Sequence, residues 1–222
     1  MHALDPFSFS LSRDVGQRSS PEPQVWWCDV DDAALILGSR QSPSMVDPAA
    51  AAAARLSVVR RRSGGGALIV RPDAVVWIDV VLPHGFAPGD VRASMVWVGE
   101  RWMAAVAPFV DPVEGAVDGD RRLTVHRGGM IDTPWSDLVC FAGLGPGEVS
   151  LAGRKLVGLS QRRTRLGIRV QGLVYRAPVT REIARLLVGD LPPVDDLVEP
   201  ATAPMLVAES LAIALAAELH SA

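Results

Sequence analysis

Short runs of apolar and polar residues punctuate most of the chain, and at four places the apolar spacing switches to a helical period. Val25-Trp26-Trp27-Cys28 and Ala34-Leu35-Ile36-Leu37-Gly38 read as two strands joined by a tight turn at Asp29 to Asp32. Pro48 and the alanines leading to Leu56 predict a short helix, with proline in its first turn and Asp47 as cap. Val58-Val59 and Ala67 to Val70 are strand-like and enclose Gly64, Gly65 and Gly66 in a hairpin loop, and Val75 to Leu82 is a long apolar strand with Trp77 and Asp79 on one face. From Pro88 to about Ala107, Val91, Met95, Val98, Trp102 and Ala105 recur at spacings of four and three, which is one face of an amphipathic helix packed on a sheet. A Pro/Gly/Asp loop covers 110–120, a short strand 123–126. A loop at 142–147 then precedes three successive antiparallel strands at 148–151, 154–161 and 167–175, which would bring Cys140, Lys155 and Gln161 to one end or face of the same sheet. A helix follows at 178–188, and a last helix at about 202–220 aligns Val207, Leu211, Leu215 and Leu219 on its docking face.

Strands in hairpins mixed with helices predict an α+β fold, with mixed, mostly antiparallel sheets packed against helices. The expected organisation is a loose Ser/Pro/Asp-rich arm over 1–23, one domain over 24–190, a proline-rich acidic linker over 191–200 and a docked C-terminal helix over 201–222. At 222 residues and 49% hydrophobic the chain can bury a substantial core. Its net charge of −3 gives no reason to expect nucleic acid as a partner. The most apolar segment, Met205 to Leu219, is short and carries Glu209 and Glu218, so no membrane span is expected. With no basic and apolar leader visible, and with Cys28 and Cys140 too few for a disulfide framework, a reducing cytoplasm is the default expectation. Neither cysteine has zinc-ligand spacing around it, and His2, His84, His126 and His220 make no motif.

One basic residue stands apart. Of 22 Lys plus Arg, only Lys155 is lysine. Lysine is a compact charge that can lose its proton, whereas arginine is a planar fork that stays charged, so a lysine kept in an arginine-only chain is a candidate for chemistry. The second candidate is the glycine loop. Consecutive glycines let backbone N–H groups approach a ligand, and Arg60, Arg61 and Arg62 beside them would attract a phosphate or carboxylate. No Lys-Ser or Lys-Thr follows as in a Walker loop, and no helix follows as in a dinucleotide fingerprint.

Two segments together resemble the biotin/lipoate protein ligase superfamily, closest to its cysteine-dependent octanoyltransferase and lipoate-protein ligase A branch. Arg60-Arg61-Arg62-Ser63-Gly64-Gly65 is similar to the family's R-R-x-[ST]-G-G loop, and Gly153 to Gln161 to its G-R-K-[IV]-x-G-S-A-Q segment. Cys140-Phe141 lies fifteen residues before Lys155, the spacing of the branch that uses a cysteine. Three departures stand beside the match. Gln171-Gly172-Leu173 lacks the family's histidine, Leu159-Ser160 stands where Ser-Ala is expected, and an early Asn-Met-Ala-Leu-Asp-Glu-like helix is missing or degenerate.

The resemblance implies a biotin/lipoate ligase-like catalytic domain and an acyltransferase active in protein lipoylation. An octanoyl or lipoyl group would pass from an acyl carrier protein thioester to Cys140, and then to a lysine of a lipoyl domain or glycine-cleavage H-like protein. Lys155 would raise the thiolate fraction of Cys140, stabilise each oxyanion and later accept a proton from the incoming amine. Arg60, Arg61, Arg62, Ser63, Gly64, Gly65, Gly66, Gly158, Ser160 and Gln161 are the implied substrate-binding residues, with the glycine loop and a Trp-rich sheet wall forming an apolar slot. The arginines at 60–62 and 162–165 could meet the acidic protein partners. No cofactor is implied for this transferase. Two alternatives remain open at this point: an ATP- and magnesium-dependent lipoate-protein ligase working through an acyl-adenylate, and an inactive acyl- or carrier-binding relative.

Overall fold

The computed structural model describes residues 22–61, 63–110, 122–165 and 167–220. Most of the expected N-terminal arm, Arg62 and nearly all of the 110–120 loop lie outside them. Two sheets form the body. The larger has the order β1 (Gln24–Trp27), β5 (Val75–Pro83), β9 (Gly167–Tyr175), β8 (Arg154–Thr164), β7 (Val149–Leu151), β6 (Leu123–Val125), with every neighbouring pair antiparallel. In the smaller one, β2 (Ala34–Leu37) lies between β3 (Ser57–Arg60), which is parallel to it, and β4 (Leu68–Val70), which is antiparallel.

The expected hairpin of Val25–Cys28 with Ala34–Gly38 does not form: the two strands belong to different sheets. The burial of each explains this. All four residues of β2 are buried, so the strand needs partners on both edges and cover on both faces, which only a central position supplies. β1 leaves Trp27 half exposed and suits an edge. The acidic run after Cys28 is therefore a crossover between sheets. For the same reason the glycine loop is no hairpin, because β2 separates β3 from β4 and the described loop residues, 63–67, lie across the end of β2. Ser39 N–H donates to Ser63 O across that crossing, and a Cβ on Gly38 would stand 1.8 Å from Gly65 O, so only glycine fits beneath the loop.

One core, around Val76, Ile78, Val80, Val170 and Val174, lies between the large sheet and the helices α2 (Val91–Val106) and α4 (Ala208–His220). Another, around Leu35, Ile36, Leu37, Ile69, Trp135 and Ile183, joins the small sheet to the remaining elements. α2 is capped by Asp90, whose Oδ1 accepts from Ala93 N–H at 2.8 Å. Met95, Val98, Trp102 and Ala105 are buried as the spacing predicts, but Val91 is 57% exposed, standing at the helix start beyond the sheet. α1 (Pro48–Ala53) has Asp47 as its cap, with Oδ1 accepting from Ala49 and Ala50 N–H. The last helix begins at Ala208 rather than near 202, because Ala201 and Ala203 N–H donate to Lys155 O and Tyr175 O and hold that stretch against the strand ends. Val207 is left exposed, while Leu211, Leu215 and Leu219 are buried.

The stretch expected as a linker, 191–200, is pinned to the body. Trp135 Nε1 donates to Pro193 O, Leu197 is buried, and Arg154 donates to Glu199 O and Pro200 O. Glu199 itself crowns α3 (Thr180–Leu186): its carboxylate accepts from the N–H groups of Val179, Thr180 and Arg181 and from Thr180 Oγ1. Burial pushes this carboxyl up, but the hydrogen bonds from Thr180, Arg181 and Val179 outweigh it and hold Glu199 below the usual carboxylate range. A lowered folded value means that the stabilisation is complete above the ordinary carboxylate range and is lost as pH falls through the folded value. Glu199→Gln, which keeps one acceptor oxygen of two, is expected to lose about 1–3 kcal/mol at pH 7 by urea unfolding and to show a shallower further loss between about pH 5 and pH 3 than the wild type.

Candidate functional site

A cavity of about 450 Å³ opens where β8 runs past the end of its short partner β7, between the glycine loop, the start of α2 and the segments 140–141 and 145–148. This volume lies in the range of small-molecule sites. Its walls include Arg61, Gly64, Gly65, Gly66, Cys140, Lys155, Gly158, Ser160 and Gln161, so most of the residues singled out from the sequence converge on it. Arg60 and Ser63 are not among the lining residues, and Arg62 lies outside the described ones.

Main-chain contacts place Cys140. Ala67 N–H donates to Leu138 O and Cys140 N–H donates to Ala67 O, so the strand leaving the glycine loop runs alongside 138–140. A Cβ on Gly66 would lie 2.6 Å from Val139 N and C and 2.7 Å from Cys140 N, which explains a glycine at that point. Gln41 reinforces the junction from below, its Oε1 accepting from Gly38 N–H and its Nε2 donating to Asp137 O and Leu138 O. Cys140 is a free thiol, partly exposed and on the cavity wall.

The two cations nearest it divide differently from expectation. Lys155 does not meet the residue at its sulfur: Nζ donates to the main-chain oxygen of Cys140 at 3.0 Å and to Gly143 O at 3.4 Å, and pairs with Glu148 Oε1 at 2.7 Å. The pair is nearly buried, with side chains 5% and 8% exposed. The cation at the sulfur is Arg61, whose Nη2 lies 3.7 Å from Cys140 Sγ while also donating to Gly64 O and Gly66 O. Arg61 is 4% exposed, so it is a strut of the glycine loop and not part of an outer basic surface. Arg163 is likewise occupied, donating to Gly89 O, Asp90 O and Ser94 Oγ at the start of α2.

Glu148 is a site residue that sequence reasoning missed. Besides holding Lys155, its Oε1 accepts from Leu159 N–H and its Oε2 from Gly145 N–H. The signal was available, since a lysine inside a strand pattern needs a counter-charge and Glu148 is the acid that enters the preceding strand. Met130 was also missed. It lines the cavity over the glycines of the 143–145 turn, where a Cβ on Gly143 would come within 2.9 Å of its Cε.

Phe141 lies over Gly158, packs edge-on against Tyr175 at 4.8 Å between ring centroids, and has Lys155 Nζ 4.8 Å from its own centroid. Burial and the neighbouring Cys140 push the Tyr175 phenol far up, and its hydroxyl donates to Ile69 O, so it is no base for the thiol. The expected tryptophan wall is not found. Trp77 lines the cavity, while Trp102 and Trp135 are fully buried in the two cores, and the apolar lining is completed by Leu68, Met95, Phe141, Leu159 and Leu173. Gln171, at the position of the family's histidine, lines the cavity with its amide beside the Asp79 carboxyl, and the buried Gln161 Nε2, also on the cavity, makes no hydrogen bond.

The family model that matches, described as the lipoyl protein ligase A/B catalytic domain, covers residues 7–191. No curated protein matches the chain. Among solved structures, a lipoate-protein ligase A bound with ATP is similar at a TM-score of 0.65 and 13% identity, over 97% of this chain and 79% of that one. The bi-partite lipoate protein ligase of Thermoplasma acidophilum, studied with its E2 lipoyl domain, gives 0.61 and 14% over 97% and 75%. P. falciparum LipL1 in complex with lipoate gives 0.59 and 13% over 90% of this chain and 49% of its own, so the chain spans about half the length of that relative. Identities at this level show a shared fold.

Removing Glu148 would leave a buried ammonium without its carboxylate. Glu148→Ala is expected to cost about 3–5 kcal/mol in urea unfolding, and combining it with Lys155→Met is expected to recover part of the loss, with a coupling above about 1 kcal/mol in the double-mutant cycle.

Proposed function

Because the chain belongs to the lipoyl protein ligase A/B catalytic domain family, a family of lipoylation enzymes, we propose that it is the thioester-forming kind: an acyltransferase that carries a medium-chain acyl group, octanoyl or lipoyl, on Cys140. The observation that carries this reading is a partly exposed thiol on the wall of the cavity, with the Arg61 guanidinium at its sulfur and the Lys155 ammonium at its carbonyl. A cysteine placed only to fill space would be buried in apolar surroundings rather than set between two cations.

The reaction divides into two displacements. In the first, the Cys140 thiolate attacks the carbonyl carbon of a carrier-protein thioester, a new C–S bond forms at Sγ, and the carrier thiolate leaves and takes a proton from water. In the second, the amine of the acceptor lysine attacks the same carbon, the C–N bond forms, the C–Sγ bond breaks, and the nitrogen's proton goes to the departing Cys140 sulfur. Positive charge around Cys140 lies close to the oxyanion of each displacement. The acyl tail would lie against Leu68, Trp77, Met95, Leu159 and Leu173, each buried methylene contributing about 0.8 kcal/mol.

The donor in this reading is an acyl carrier protein and the acceptor a lipoyl domain or H-like protein, in keeping with the lipoyl domain that accompanies the Thermoplasma ligase. No cofactor takes part in either displacement. A ligase acting through an acyl-adenylate would instead require ATP and magnesium and leave Cys140 idle.

Intact-protein mass after mixing with octanoyl carrier protein, without ATP, separates these cases. The expected result is a hydroxylamine-labile octanoyl adduct on the wild type and none on Cys140→Ser. No adduct on either protein would sink the transferase; acyl-adenylate formed from lipoate and ATP by a fully active Cys140→Ser variant would establish the ligase in its place.

A further inference from the structure

We propose that the open edge of β8 at Leu159 to Arg163, together with the side-chain amide of Gln161, is the subsite for the pantetheine arm of the acyl donor, an extended chain with two amides and a phosphodiester at its far end. The inference rests on the thioester donor proposed above, and it concerns what holds that donor while its acyl carbon reaches Cys140.

β8 is paired with β9 along 157–164, but its other edge meets β7 only over 154–157. Leu159 N–H donates to Glu148 Oε1 at 3.1 Å, so it points away from β9. In an antiparallel ladder the direction of the main-chain groups alternates, so Gln161 and Arg163 present theirs on the same open side. Among the described residues nothing pairs with Gln161 N–H, Gln161 O or Arg163 N–H there. An unpaired strand edge is a template for another amide-bearing chain.

The Gln161 side chain adds a second, independent signal. Its Oε1 accepts from Ser94 Oγ at 3.0 Å, whereas its Nε2 is buried on the cavity wall without a partner. Turning the amide over would only exchange which end is left over. A buried amide group without a partner carries a cost that a bound amide removes.

The position of this edge suits the arm rather than the acyl tail. The apolar wall of Leu68, Trp77 and Leu173 serves the tail. Gly158 lies beneath Phe141, next to the nucleophile, and Gln161 is three residues further along β8, about 10 Å at the rise of a strand. With the thioester sulfur at Cys140, the nearer amide of an extended arm falls beside Leu159 O and the farther one beside Gln161. Beyond them stands Arg92, exposed and shared between the cavity and the outer groove of Pro88, Trp97 and Arg127. Its guanidinium donates to Arg127 O and, among the described residues, has no carboxylate partner, which leaves its charge for a phosphate.

Unreactive thioethers test the subsite without any transfer step. By titration calorimetry the full chain is expected to bind S-octyl pantetheine at least tenfold more tightly than S-octyl-N-acetylcysteamine, which lacks the farther amide. In Gln161→Leu this preference is expected to fall below threefold. Replacing the farther amide of the ligand by an ester is expected to weaken binding to the wild type about tenfold, which reads the edge carbonyl even if the variant does not fold. Equal affinity of the wild type for the two thioethers, or a Gln161→Leu variant that keeps the full preference, would overturn the proposal. So would a Gln161→Leu variant that binds S-octyl pantetheine normally and is slowed only in transfer to the acceptor protein, since the edge would then belong to the acceptor. A tenfold preference for pantetheine with no octanoyl adduct on Cys140 would remove the transferase reading and leave the subsite standing; an adduct without the preference would do the reverse.

Discussion

The ammonium of Lys155 sits in the wall of the cavity with almost no access to water, and the site depends on how that charge is accommodated. An ammonium moved into a protein interior costs several kcal/mol unless opposite charge and hydrogen bonds surround it. Here they come from three stretches of chain: the carboxylate of Glu148, the carbonyls of Cys140 and Gly143, and the ring of Phe141. None of these is adjacent to Lys155 in sequence, so satisfying the charge and assembling the site are the same event. The nucleophile's main chain, the turn after it and the strand beside the cavity are drawn to one point because leaving any of them away would strand a buried charge.

Backbone, more than side chain, forms the surface around that point. The glycine loop crosses the end of β2 with its carbonyl against Gly38, Gly66 presses on Val139 and Cys140, and Gly158 lies under Phe141. On the other side Gly99 of α2 meets the Gly147 carbonyl so closely that a Cβ would stand 1.9 Å from it, which seats the helix start and Met95 against the 145–148 turn. These contacts bring five segments within reach of one small ligand. They also make the site intolerant of added methyl groups, which would meet main chain at Gly38, Gly66 and Gly99 and the Phe141 ring at Gly158.

How much of this was legible in the sequence follows from what a local pattern can encode. Periodicity set the face of α2 at Met95, Val98, Trp102 and Ala105, and the three strands from β7 to β9, because those patterns are written within one element. Cys140, Phe141 and Lys155, singled out by their spacing, line one cavity. Partner choice was not legible. Val25–Cys28 and Ala34–Gly38 read equally well as a hairpin, and only the complete burial of β2 reveals that it needs two other partners. Arg61 was read as one of a basic run because its neighbours are arginines, yet the turn of β3 into the loop buries it while Arg60 remains outside. Glu148 could be found only through Lys155, as the counter-charge that a lysine inside a strand requires from the strand before it.

The same geometry explains why one lysine persists in a chain that otherwise uses arginine. The acceptors around Nζ are a carboxylate oxygen and two carbonyls from three separate stretches, and a compact ammonium with three N–H bonds directed apart can serve them together. A planar guanidinium directs its N–H bonds within one plane and suits three acceptors from separate stretches less well. The acceptors around Arg61 are the opposite case, two carbonyls and a sulfur gathered at one nitrogen of the fork, held at the distance that arginine's longer side chain reaches. The two cations are therefore not interchangeable, and the reason lies in the directions of their partners. The ability of lysine to lose a proton, which first drew attention to Lys155, is not needed to account for it.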